Sequence, residues 1–144
     1  MTTDQVPLTL VPLGRMIAVL RAPIVLSGTP GGDRMIFEVA SGRLVGDRLN
    51  ATITGSANAD WFTIGPDGTG SLDVRVLAET DDGALVFIHY TGRTDLSANG
   101  GAPIYAAPRF DTGDDRYRWL NVVQAVGRGH LVGDTLTYDL YELR

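Results

Sequence analysis

From Ser71 to Thr80 the chain alternates without a break, with Leu72, Val74, Val76 and Ala78 on one parity and Asp73, Arg75, Leu77 and Glu79 on the other. A period of two is the signature of a β-strand, whose successive side chains point to opposite faces of a sheet. Met16–Leu20, Met35–Val39, Leu49–Thr54, Asp60–Ile64, Ala84–Thr91, Trp119–Val126 and Leu131–Tyr141 are similar runs of β-branched, aromatic and aliphatic residues and predict further strands. Eighteen glycines and seven prolines cut the sequence into pieces mostly too short for stable helices. Asp67-Gly68, Asp82-Gly83 and Gly133-Asp134 supply residues that tolerate the positive φ of tight hairpins, so consecutive strands should pair as a meander.

The expected fold is all-β, a single small antiparallel barrel over residues 1–144, a meander of about eight to ten strands with little or no helix. Closure is favoured over an open sandwich because it removes unpaired edge strands. Leu44–Leu49 and Leu131–Leu136 are nearly the same hexamer around Gly-Asp and read as equivalent hairpins, too short a match to establish duplication. The longest stretch without strand character, Gly92 to Pro103, reads as a mobile loop at one end of the barrel.

A chain of 144 residues is long enough to bury a core without a metal or a disulfide. Its mean hydropathy of +0.04 and 20% charged residues are those of a globular domain. No apolar run approaches the ~18 residues of a membrane helix, and the polar start, Met1 to Gln5, lacks the pattern of a secretory signal. The expected location is cytoplasmic. There is no cysteine, and all 12 basic residues are arginine. Thiol nucleophiles, Cys-ligated zinc, Schiff-base lysines and a covalently held pyridoxal cofactor are therefore excluded by inventory. A net charge of −5 repels phosphate backbones, which argues against nucleic acid as a partner. His89 and His130 lie far apart with no metal-ligand spacing around either, so no metal and no cofactor are expected.

What remains is carboxylate, guanidinium, phenol and indole. Asp73 and Arg75 share a strand face, and either line a binding lumen or are solvated surface charges of a sheet whose core is on its other side. In Trp119–Val126 and the residues just before it, Tyr117, Trp119 and Asn121 fall on one parity and Leu120 and Val122 on the other, and neither face looks like plain solvent. Tyr90 lies among apolar residues of its strand. Asp60 precedes Trp61, and a carboxylate beside an indole is either an acid or base with a raised pKa or a turn cap beside a core tryptophan. Arg109 and Asp111 share a face, suited to carboxylate binding and proton handling or to a cross-strand salt bridge.

Taken in order, Gly28-Thr29-Pro30-Gly31-Gly32-Asp33-Arg34, Ala59-Asp60-Trp61, Asp73-Val74-Arg75 through Thr80-Asp81-Asp82-Gly83-Ala84-Leu85, Pro108-Arg109-Phe110-Asp111-Thr112-Gly113, Arg116-Tyr117-Arg118-Trp119-Leu120-Asn121 and Tyr138-Asp139-Leu140-Tyr141 resemble the bacterial and fungal family known as domain of unknown function family 3237. The resemblance spans nearly the whole chain. It implies a compact β-barrel, often oligomeric, with Arg34, Asp60, Trp61, Asp73, Arg75, Tyr90, Arg109, Trp119 and Asn121 gathered towards the lumen. Two features depart from the family pattern. The connection Gly92 to Ala107 is shorter than the helix-bearing insert of many members, which would reduce or remove a lid. Asp111 stands where the family's Phe-Glu-Thr-Gly motif has glutamate, which shortens that carboxylate's reach by one methylene.

The expected function is a cofactor-independent acid–base enzyme of isomerase, cyclase or lyase type, acting on a small organic metabolite. Asp60 or Asp73 would be its base, Arg75, Arg109 or Tyr90 would hold the anionic oxygen, and Arg34, Trp61, Asp111, Trp119 and Asn121 would bind the ligand. The alternatives are a carrier for an aromatic or carboxylated ligand, and an assembly module whose charges are inter-strand bridges. Apolar runs on both strand faces point to a covered outer surface, which a homodimer would supply.

Overall fold

The computed structural model describes residues 4–99 and 101–144. Its strands are β1 (Leu10–Leu20), β2 (Ile24–Thr29), β3 (Gly32–Val45), β4 (Ala51–Ile53), β5 (Ala59–Ile64), β6 (Thr69–Thr80), β7 (Leu85–Asp95), β8 (Ile104–Ala106), β9 (Arg109–Asp111), β10 (Ala125–Val132) and β11 (Thr135–Leu143), with one 3₁₀ helix at Asp115–Val122. Eight of them close into an antiparallel ring in chain order, β1, β3, β5, β6, β7, β8, β10 and β11. The first and last strands complete it through a register running from Leu10 opposite Leu143 to Val19 opposite Thr135. The predicted all-β meander barrel is therefore what the chain forms. Strands β2, β4 and β9 are short additions beside β3, between β3 and β6, and beside β7.

Alternation decides what fills the ring. On β6, Leu72, Val74, Val76 and Ala78 are buried, as are Val86, Ile88 and Tyr90 on β7 and Leu136, Tyr138 and Leu140 on β11. Their outward neighbours carry the charge, and Arg15–Asp139, Arg43–Asp81 and Arg48–Glu142 form ion pairs on the exterior. Gly68, Gly83 and Gly133 have φ of 84°, 92° and 63°, so the three predicted hairpins turn where a side chain would be strained. The two similar hexamers are not equivalent. Gly133-Asp134 is a tight hairpin between β10 and β11, whereas residues 46–50 make a wider connection from β3 to β4 that tucks Leu49 into the core.

One expected strand is absent. Residues 119–122 belong to the 3₁₀ helix, and β10 begins only at Ala125. Asp114 caps this helix by accepting from the Arg116 amide, and Arg116 grips the same carboxylate with Nε and Nη2. With a period near three, it is Leu120 and Val123 that turn inward, with Tyr117 half-buried. The alternation of Tyr117, Trp119 and Asn121 was not that of a strand.

The helix and the 46–50 connection plug one end of the barrel with Leu120 and Leu49, both almost wholly buried. A polar latch fixes the plug, since Asp82 on the β6–β7 turn accepts from Tyr117 and from Thr80, and its carbonyl accepts from Arg116. At the other end the β5–β6 turn, the β10–β11 hairpin and the residues after Asp95 surround an opening. β7 runs to Asp95, so the first residues of the expected loop, Gly92–Thr94, are strand.

Leu120 has no exposed surface, and Leu120→Ala should lower stability by about 2–5 kcal/mol, read as a fall in the denaturant midpoint with the m-value unchanged.

Candidate functional site

The open end leads into a cavity of about 490 Å³, within the range of small-molecule sites. Met35 and Phe37 from β3, Asp60, Phe62 and Ile64 from β5, Leu72 from β6, Leu136 and Tyr138 from β11 make its walls. Leu96, Ala98, Gly101 and Ala102 of the short connection after β7 line its mouth. That connection is anchored by the Leu96 amide, which donates to the Gly68 carbonyl at 2.9 Å, and by Asp95, whose carboxylate accepts from the Ser97 amide and hydroxyl.

Asp60 owes its position to local hydrogen bonding. The β4–β5 connection is held by Asn58, whose buried amide donates to the carbonyls of Thr54 and Gly55 and accepts from the Leu77 N–H at 2.7 Å. Two residues on, the same parity turns Asp60 inward, level with Phe37 on one neighbouring strand and Val74 on the other, and Val74 in turn opposes Tyr90. The Asp60 carboxylate accepts one backbone hydrogen bond, from the Asp73 N–H at 3.1 Å. Burial dominates its electrostatics and raises its pKa from 3.8 to about 6; the Asp73 amide opposes this and the Asp73 carboxylate reinforces it.

Two phenols feel its charge, Tyr138 on the cavity wall and Tyr90 in the core beside it and not among the cavity's lining residues. Tyr90 and Tyr138 pack edge to face with centroids 5.7 Å apart, and burial, with the Asp60 carboxylate adding to it, raises both pKa values. Both therefore keep their protons around neutrality. Tyr138 is the site residue absent from the sequence-based set. Its signal was present as a tyrosine on the inward parity of β11, between Leu136 and Leu140 and opposite Gly129.

The remaining predicted residues lie elsewhere. Asp73 and Arg75 have the outward parity of β6, so they are not in the lumen, and the surface-charge alternative describes them. Arg34 is on the outer face of β3 and donates to the Trp61 carbonyl at 3.3 Å, and the Trp61 side chain is 48% exposed. Trp119 is covered by the Arg48 guanidinium, 4.2 Å from its ring. Arg109, Asp111 and Asn121 border a second, outer groove of about 320 Å³ with Phe87 and His89. There His89 lies 3.2 Å from Asp73 and 3.4 Å from Arg109, and Asn121 clamps Thr112 by bonds to its N–H and C=O. The expected pairing of a lumen carboxylate with an arginine is not made, because parity sends Arg75 and Arg109 outward. Among the described residues lining the cavity none is cationic.

The profile of the family described as "Protein of unknown function (DUF3237)" matches residues 8–143. A UPF0311 protein of Rhodopseudomonas palustris is 26% identical over 125 residues, covering 78% of this chain and 81% of its own. A hydroalkoxylation enzyme of Penicillium herquei is 32% identical over 89 residues, which cover 62% of this chain and 52% of that one. Among solved structures, a β-barrel-like protein of Acinetobacter baumannii superposes with a TM-score of 0.88 at 27% identity, over 99% of this chain and 100% of that one. An enzyme from Penicillium herquei shares the fold, with a TM-score of 0.78 at 23% identity over 100% of both chains.

Because the Asp60 pKa is higher in the folded than in the unfolded chain, the folded state binds more protons between about pH 4 and pH 6, and stability falls as pH rises through that window. Asp60→Asn removes this dependence and keeps an acceptor for the Asp73 amide. Relative to the parent it should gain about 1–3 kcal/mol at pH 8 and nothing near pH 4, measured by urea unfolding across pH.

Proposed function

Given that the chain belongs to the family described as "Protein of unknown function (DUF3237)", we propose that its barrel lumen is a cofactor-independent acid–base site of cyclase or isomerase type, with Asp60 as the group that moves the proton. The observation that carries this reading is a carboxyl held in an apolar cavity with no cation among its described lining residues, where burial raises its pKa to about 6. A carrier gains nothing from such a group, since a part-buried carboxyl without a cationic partner destabilises the fold without adding apolar contact. A pKa close to the working pH is what an acid–base catalyst requires.

The reaction class follows from what one carboxyl can do. Intramolecular addition of an O–H across a C=C changes no atom count. The protonated Asp60 gives its proton to one alkene carbon, the hydroxyl oxygen bonds the adjacent carbon, and the proton released from that oxygen returns to the carboxylate. The partial relative named as a hydroalkoxylation enzyme supports chemistry of this kind, and the neutral Tyr138 hydroxyl, which lines the same cavity as Asp60, is suited to bear on developing charge at oxygen.

A panel of ortho-allyl and ortho-prenyl phenols, followed by chromatography for the cyclic ether, tests the proposal. Conversion should depend on the acid form, falling as pH rises through about 6, and Asp60→Asn should lower kcat by about 100-fold or more with ligand affinity little changed. Conversion that Asp60→Asn leaves intact sinks the role of Asp60, and no conversion across the panel returns the lumen to a carrier.

A further inference from the structure

Tyr138 is 1% exposed, lines the cavity, and its hydroxyl makes no hydrogen bond of regular geometry among the described residues. Buried hydroxyls are satisfied in the great majority of cases, because an unmade bond forfeits the hydration lost on burial. The Tyr90 hydroxyl approaches that of Tyr138 as a donor, which tends to lower the Tyr138 pKa and raise its own, so the Tyr138 proton itself is left without an acceptor among the described residues.

Nor is the ring free to seek a partner. On β10 the residue opposite Tyr138 is Gly129, and a Cβ there would come within 2.5 Å of the Tyr138 ring. The ring lies against bare backbone on that side and against the edge of Tyr90 on another. Close packing of this kind holds the hydroxyl in one place.

The charge of the cavity is as one-sided as its hydrogen bonding. The ionisable groups that line it, Asp60, Asp95 and Tyr138, all become negative or stay neutral, and no Arg, Lys or His is among its described lining residues. The walls are Phe37 and Phe62, packed edge to face at 6.1 Å, with Met35, Leu72 and Leu136. Such walls favour flat apolar rings. A carboxylate entering would lose its hydration and meet only acidic neighbours.

We infer that the lumen takes an uncharged, mainly apolar molecule with an oxygen that receives the Tyr138 hydroxyl as donor, and that it rejects carboxylates. The inference rests on the lumen being the ligand site, and it makes Tyr138 a specificity-determining residue. It sets aside the carboxylated ligand that the arginines of the sequence had implied, because those arginines are outside.

Titration at pH 7 with naphthalene, 2-naphthol and 2-naphthoate separates the possibilities, with intrinsic fluorescence as the readout. The parent should bind 2-naphthol about tenfold more tightly than naphthalene and at least about tenfold more tightly than 2-naphthoate. Tyr138→Phe, which keeps the ring, should abolish the advantage of 2-naphthol while leaving naphthalene affinity unchanged. Equal affinity for 2-naphthoate and 2-naphthol overturns the charge selection, and undiminished 2-naphthol binding by Tyr138→Phe overturns the role of its hydroxyl. Ala102→Trp, at the mouth, separates failure of this inference from failure of the site. Loss of naphthalene binding in that variant places the probes in the lumen, whereas persistent binding, or no binding by the parent, overturns the lumen as ligand site and the inference with it.

Discussion

Everything in this molecule depends on the closure of eight strands by the pairing of β1 with β11. Once the ring is closed, each residue on a ring strand faces either the lumen or the exterior, and its parity decides which. An eight-stranded ring encloses space for side chains or for one small ligand, and this chain divides that space. Leu49 and Leu120 close one end, and beyond the apolar layers of β6, β7 and β11 the other end is left as a cavity.

Parity also explains why so few charged groups are inside. Asp73 and Arg75 on β6, Arg109 and Asp111 on β9, and Arg34 on β3 all take the outward position. There water or ion pairs satisfy them at little expense, and exposed pairs of this kind contribute little to stability. Asp60 takes the inward position, held by the Asn58 bonds and the Asp73 amide. Its carboxyl in an apolar lumen is costly, and among the described residues lining the cavity none offsets that with a positive charge. The site and its penalty are the same group.

The polar cluster on the outer face has a different character. His89 between Asp73 and Arg109, and Asn121 locked onto Thr112, bind β6, β7, β9 and the 3₁₀ helix to one another. Residues whose types resembled a binding site are here joined across neighbouring strands and turns. The arginine carbon over Trp119 acts in the same way, pinning the 46–50 connection to the helix.

The sequence by itself determined the class of fold, the strand runs of β6 and β7, and the hairpins at Gly68, Gly83 and Gly133, because periodicity and positive φ are local properties of the chain. It also determined which chemistries are impossible, since cysteine and lysine are missing. It displayed the apolar and polar faces of β6 but not which side would be the lumen's counterpart in function. Only ring closure assigned Asp73 and Arg75 to the exterior and left Asp60 inside. The segment from Tyr117 to Asn121 looks like a strand because its aromatic and polar residues are spaced by two, while the 3₁₀ helix it forms is capped locally by Asp114 and fixed by the tertiary bonds of Arg116 and Tyr117 to Asp82. Tyr138 is hidden in the sequence for a related reason. Its burial depends on Gly129 across the ladder, and its unpartnered hydroxyl becomes visible only when residues distant in sequence surround it.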